Sequence, residues 1–415
     1  MWQGNYEVAE LTGKVGRPED ALSAHRQVLA AREAPAAGSQ ADPELKADVG
    51  RSLTAVAGLL ESTGRTKEAE ATYRKAETLL IELAPTLADA AAARAVLANC
   101  RSRLGWLLHA TGRSDEALSV YRLALADQEA LAAARGATTE SRRGLADTIH
   151  RVGTLLRQMG KPSEAEAEHR KAQALYQKLA DANPSETAIG EGLAVSHYYI
   201  GSLLSVRGDT TGALAAYGKA VAILQELADG DAKLLSARDW LAFVHSVKAD
   251  ELRHMGSSAL ARDGYDRSIA IKERLVQDHP QHPYWRRQLA GNVRGRGLAR
   301  LDMGDLAGAA ADARRALGLF GGLPAPTGDD WFATSCCHAA LAGLAGRDAS
   351  GVSAGEAFSE ADKAMALLQK TVGSGYRNPD AFRTESALDP LRNRPDFQLL
   401  MMDLAFPVEP FARGD

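Results

Sequence analysis

The sequence predicts an all-α chain, a solenoid of antiparallel helix pairs, and three observations carry that expectation. Seven glycines (Gly16, Gly64, Gly112, Gly160, Gly208, Gly256 and Gly304) stand 48 residues apart with no slippage. Five residues after each comes alanine: Ala21, Ala69, Ala117, Ala165, Ala213, Ala261 and Ala309. Nine residues after each lies a ring in six of the seven copies (His25, Tyr73, Tyr121, His169, Tyr217 and Tyr265), with Ala313 the exception. Self-similarity at a fixed period marks stacked supersecondary units, each burying its apolar face against its neighbours.

Each position has a physical reason. An apolar-periodic segment such as Leu104, Leu107, Leu108 ends at Gly112, and glycine just past a last turn takes the left-handed conformation that closes a helix. The next segment restarts at Ser114-Asp115-Glu116, side chains suited to a helix N-terminus. Each unit therefore reads helix, tight turn, helix. A small residue seven places before the turn (Ala9, Ala57, Gly105, Gly153, Gly201, Ala249, Gly297) and the alanine after it stand where two antiparallel helices approach most closely. The ring is expected to plug the gap between the second helix and the next unit.

The spacing Leu104, Gly105, Leu108, Gly112, Ala117, Tyr121, Ala124 resembles the tetratricopeptide repeat signature position for position, and the other units repeat most of it. The resemblance covers residues 3 to 320 and implies a right-handed superhelical solenoid. It departs from the family in length, because the usual unit has about 34 residues and this one has 48. No breaker interrupts Tyr121 to Leu131 or His169 to Leu179, so the additional residues are expected to lengthen both helices.

Composition agrees with stacked helices. A compact single core is unusual at 415 residues, whereas a solenoid grows by stacking. Net charge is -4, and no global basic field argues for nucleic acid. Three cysteines (Cys100, Cys336, Cys337) give no even, spaced framework and are expected to be buried apolar residues in a reducing compartment. No apolar run reaches the roughly 20 residues that span a bilayer, and the N-terminus lacks a signal-peptide layout. Cytoplasmic localisation, without membrane insertion, is the expectation.

In chain order, residues 1–322 are expected to hold seven units. The first is truncated, since Met1 to Val15 is a short first helix; the chain is therefore expected to be a piece of a longer one, or to start upstream of Met1. Ala34 to Pro43 reads as a loop to unit two. Glu251-Leu252 replaces the Leu-Leu pair of unit six, and Gly291, Gly295 and Gly297 are expected to loosen the first helix of unit seven. Residues 323–375 read as an atypical eighth helix pair, with Ala361 and Met365 inward. Residues 376–415 read as a C-terminal capping segment, with Pro395 starting a helix striped by Phe397, Leu400, Met401 and Leu404. Leu388 to Phe397 is also similar to the ends of repeat regions that follow the catalytic domain in large bacterial serine/threonine protein kinases. That likeness implies, as an alternative, a regulatory fragment of a kinase whose catalytic domain lies upstream.

No catalytic motif is found in the chain. Gly291-Asn-Val-Arg-Gly295-Arg-Gly297 lies in a repeat helix with no preceding strand, and no His-Arg-Asp or Asp-Phe-Gly follows. His279 and His282 have no third ligand nearby, so no metal and no cofactor are expected. His25 and His169 occupy the ring position as packing residues.

Binding is the remaining function. The family resemblance implies that successive first helices line a concave groove holding a peptide or protein, as a non-catalytic scaffold. Residues one turn from the packed leucines are the candidates: Asn99, Ser102, Arg103, Trp106 and His109 in unit three; Asp147, His150, Arg151 and Arg157 in unit four. Tyr198, Tyr199 and Ser202 follow in unit five, then Phe243, Asp250 and Arg253 in unit six and Arg294 in unit seven. Arginine with exposed aromatics suits an interaction hot spot, and the arginine excess points to an acidic partner segment. The residues set no oligomeric state.

Overall fold

The computed structural model describes residues 18–36, 43–83, 90–231 and 233–405, and every regular element among them is a helix. Two compact units divide the chain, Met1–Leu203 and Leu204–Asp415. The first holds α1 (Pro18–Ala36), α2 (Pro43–Ser62), α3 (Thr66–Leu83), α4 (Ala90–Ala110), α5 (Ser114–Ala133), α6 (Thr139–Gln158) and α7 (Pro162–Ala182). The division falls inside α8 (Thr187–Val206). The second unit holds α9 (Thr210–Gly230), α10 (Leu235–His254), α11 (Ser258–Asp278), α12 (Pro283–Asp302), α13 (Leu306–Gly321), α14 (Gly328–Leu344) and α15 (Glu356–Gly373). It closes with α16 (Pro379–Thr384), a 3-10 turn (Ser386–Leu391) and α17 (Pro395–Ala405).

The extra length of the repeat goes into both helices, as α4 has 21 residues and α5 has 20. In the first unit α2 packs on α3, α4 on α5 and α6 on α7, while α2 also touches α4 and α4 touches α6. Successive first helices thus lie side by side. The fold is an all-α helical solenoid built from antiparallel pairs.

The turn shows why the ruler residue is glycine. Gly112 has φ +80°, a backbone that costs a side-chain-bearing residue about 1–2 kcal/mol. Its N–H donates to the His109 carbonyl at 3.0 Å, and the Arg113 N–H reaches back to Leu108 at 2.9 Å, which satisfies carbonyls left open at the helix end. Gly64, Gly160, Gly208, Gly256 and Gly304 repeat this geometry with φ between 73° and 81°. Gly16 and the shortened first helix lie outside the described residues. Ala69, Ala117, Ala165, Ala213 and Ala261 are fully buried, and Ala309 nearly so.

The rings do more than bridge to the next unit. A Cβ on Gly105 would stand 2.8 Å from the Tyr121 ring, and one on Gly153 would stand 2.9 Å from His169. Each ring therefore also fills a space opened by the glycine of its own first helix. Tyr265 lies against Gly295 of the following helix, where an added Cβ would come within 2.6 Å. This corrects the expectation for unit seven: α12 is continuous, and Gly295 and Gly297 are buried packing positions that admit neighbours rather than loosening the helix. Tyr73 and Tyr217 are buried at the same register. In unit six, the buried Glu251 that replaces leucine accepts a hydrogen bond from the Ser205 hydroxyl at 2.6 Å.

At the C-terminal end Phe382, Leu388, Leu391, Phe397, Leu400 and Leu404 share one core cluster with Ala361, Met365 and Cys336. Arg294 joins this end to α12 through an ion pair with Glu385 at 2.9 Å. All three cysteines are unbridged and buried. Burial pushes the Cys100 and Cys337 thiols up to about 12 and that of Cys336 upward too.

Candidate functional site

In the first unit, α2, α4 and α6 present one face to a cavity of about 830 Å³, within the size range of ligand-binding clefts. Asn99 and Asp147, and likewise Arg103 and Arg151, line it one repeat apart in sequence, so equal register brings like positions onto neighbouring helices. The wall behind them is fixed: the Ser102 and Thr148 hydroxyls meet at 2.8 Å between α4 and α6, both buried.

Trp106 is the exposed apolar feature of this cavity, 43% accessible. The Arg151 guanidinium stands 5.7 Å from its ring centroid, within reach of cation–π attraction. The His109 ring lies tilted against that of Trp106, 5.7 Å between centroids, and burial lowers the His109 pKa. Arg103 donates from Nε to the Asn99 Oδ1 at 3.1 Å. On the α2 side Glu61 accepts from the Tyr73 hydroxyl at 3.2 Å. Desolvation raises the Glu61 pKa, opposed by the Tyr73 hydrogen bond and by Arg103 and Arg151. On the α6 side the Tyr176 hydroxyl donates to Asp147, and Arg143 pairs with Glu140 at 2.7 Å and with Asp147 at 3.4 Å.

Of the residues picked from the sequence, the structure brings Asn99, Ser102, Arg103, Trp106, Asp147 and Arg151 together around this cavity, and His109 packs against Trp106. His150, Arg157, Tyr198 and Tyr199 form a separate cluster. His150 and His169 approach through their Nδ1 atoms at 3.2 Å, and His169 stacks on Tyr199 with centroids 4.8 Å apart and an interplanar angle of 8°. Tyr198 sits edge-on to Tyr199, and the Arg157 guanidinium lies 5.9 Å from the Tyr199 ring. Desolvation, with His169 and Arg151 beside it, lowers the His150 pKa to about 3; desolvation and Arg157 lower that of His169 to about 4. Both rings are neutral at ordinary pH. In the second unit Arg253 pairs with Asp302 at 3.4 Å and Arg294 with Glu385.

Sequence reasoning missed Glu61, Gln128, Glu140 and Arg143 on the cavity wall. Glu61 stands 48 residues before His109, so carrying the register back one unit finds it. Gln128 is a buried side chain of α5 lying 3.3 Å from where a Gly144 Cβ would be, a contact no spacing announces. Among the described residues no cluster of three or more His, Cys, Asp or Glu side chains is placed to hold a metal, and no helix is long and apolar enough to cross a membrane.

Two stretches match family models described as tetratricopeptide repeat, residues 100–133 and residues 145–184. Both lie on helices that build the cavity. No curated protein matches the sequence significantly. Among solved structures, the apo form of RapI matches with a TM-score of 0.63 at 10% identity, over 97% of this chain and 97% of that one. A signal transduction ATPase with numerous domains from Pyrococcus horikoshii, which carries a tetratricopeptide repeat sensor, matches with a TM-score of 0.52 at 12% identity. That match covers 77% of this chain and 42% of the ATPase. At these identities the likeness is one of fold. With the 48-residue repeat, the positive-φ turns and the two matched segments, the chain carries tetratricopeptide repeats.

Proposed function

We propose that the chain is a non-catalytic interaction scaffold that holds a peptide or protein segment in the cavity on α2, α4 and α6. The observation carrying this reading is Trp106, a large ring left exposed on a wall whose polar groups are already fixed by hydrogen bonds. An anchored aromatic beside arginine is the composition of interaction hot spots. Three arginines (Arg103, Arg143, Arg151) and three carboxylates (Glu61, Glu140, Asp147) line the cavity, and Arg143 is paired to two of the carboxylates. The cavity accordingly selects a segment whose acidic side chain reaches between Arg103 and Arg151 while an apolar side chain covers Trp106. The three buried free cysteines support a reducing, cytoplasmic setting.

The test is peptide display on the full chain, followed by titration of the selected peptides. Trp106→Ala and Arg151→Ala should each weaken binding about 30-fold, the equivalent of roughly 2 kcal/mol. Selected peptides that bind both variants as tightly as the parent chain would remove this cavity from the reading.

A further inference from the structure

A second cavity, of about 290 Å³, lies within the second unit between α9, α10 and α11. Arg238 comes to it from α10, and Arg267 and Arg274 from α11. None of the three makes a side-chain hydrogen bond or ion pair among the described residues. Leu241, Ile271 and Leu275 supply an apolar floor, and the single carboxylate on the lining, Asp229, is engaged by the Gln225 amide at 2.9 Å.

The repeat itself shows that this cluster departs from its counterpart in unit three. In unit three the positions equivalent to Arg238 and His245 are Arg94 and Arg101. There Asp127 holds Arg94 at 3.9 Å, and Glu77 and Asp127 hold Arg101 at 2.9 and 2.6 Å. The register places Ile271 where Asp127 stands and Val221 where Glu77 stands. Three cationic counterparts of Arg267 are paired, Lys75 with Glu33 at 2.7 Å, Lys171 with Glu168 at 2.7 Å and Arg315 with Glu273, whereas Lys219 makes no such pair among the described residues. Unit six has Gly264 at the place of Glu168. Aliphatic or absent side chains have replaced the acids, leaving the cations facing an apolar hollow.

We propose that this cavity binds a phosphomonoester carried on a small apolar body such as a single ring. Three arginines less one aspartate leave a lining charge of +2, which complements the charge of about −1.5 to −2 on a phosphate monoester. His245 adds no charge, because burial, with Arg267 and Lys248 nearby, holds its pKa down to about 4. Guanidinium groups bind phosphate oxygens in forked pairs, and the volume admits one ring rather than a drug-sized ligand. The phosphate can come from a free metabolite or from a phosphorylated side chain.

The test is calorimetric titration of the full chain with phenyl phosphate, inorganic phosphate, phenol and a capped phosphotyrosine peptide. Phenyl phosphate should bind one per chain, at least tenfold more tightly than inorganic phosphate and phenol. A still tighter capped peptide identifies a protein source, and equal affinity a free ligand; both support the site. The double variant Arg267→Gln, Arg274→Gln should weaken phenyl phosphate at least tenfold. Ile271→Asp, which restores the acid of unit three, should abolish binding, and thermal melts would show that both variants remain folded. Phenyl phosphate bound no better than inorganic phosphate, or bound equally by folded variants, would overturn the proposal.

Discussion

Two neighbouring clusters in the first unit draw on the same register and end differently. Around Trp106, Arg103 and Arg151, the positions one turn from the leucines surround an open cavity. One repeat further along, the equivalents of Ser102, Arg103 and His109 are His150, Arg151 and Arg157, followed by Tyr198 and Tyr199. Here Tyr199 stacks on the buried His169, and His150 meets both rings edge-on. Repeat position decides which side chains share a face; side-chain volume decides whether that face is open or closed. The open cluster has recognition as its proposed role, while the closed one holds helices together.

Three measurements sharpen that contrast, the largest effect first. Tyr199→Ala removes the ring that meets both His150 and His169, and should lower unfolding free energy by about 2–4 kcal/mol in urea titrations. A loss under about 0.5 kcal/mol would mean that the stack is not structural.

The second effect is acid sensitivity. His150 and His169 have pKa values of about 3 and 4 in the folded chain, below the ordinary histidine value near 6.5. Below that value the unfolded chain binds protons that the folded chain refuses, so stability falls as pH drops from about 6.5 toward 4 and is unaffected above it. The slope is about 1.4 kcal/mol per pH unit for each such histidine. His109 and His245 add to it in the same direction. His150→Gln should flatten the acid limb of the urea midpoint against pH, and an unchanged limb would separate the stack from the acid response.

The smallest effect belongs to the open cluster. Trp106→Ala should shift unfolding free energy by less than about 0.5 kcal/mol, as for surface changes away from packed features, while binding of a selected peptide falls. A large stability loss would place Trp106 among the structural rings.

Much of this was legible before the structure. Positive φ at the turn leaves glycine nearly alone as a choice, so Gly64 through Gly304 announced the helix pairs. Arg103, Trp106 and Arg151 could be placed on one face from spacing. Gly295 could not be read correctly in isolation, because its meaning depends on Tyr265, 30 residues earlier and in contact only after folding. Arg294 looked like a groove residue until Glu385, 91 positions away, took it. The unpaired arginines of unit six were invisible for the same reason: only the ion pairs of unit three show what Ile271 and Val221 fail to supply. The likeness of Leu388 to Phe397 to kinase-associated repeat ends rests on sequence alone.

The cysteines described with the fold have a consequence for watching the chain move. Cys100 belongs to the first unit, Cys336 and Cys337 to the second, and each thiol is both shielded and held in its unreactive form. Alkylation must wait for local opening. Cys100 is thus a clock for one half of the molecule, and the adjacent pair a clock for the other, each already installed without an engineered label.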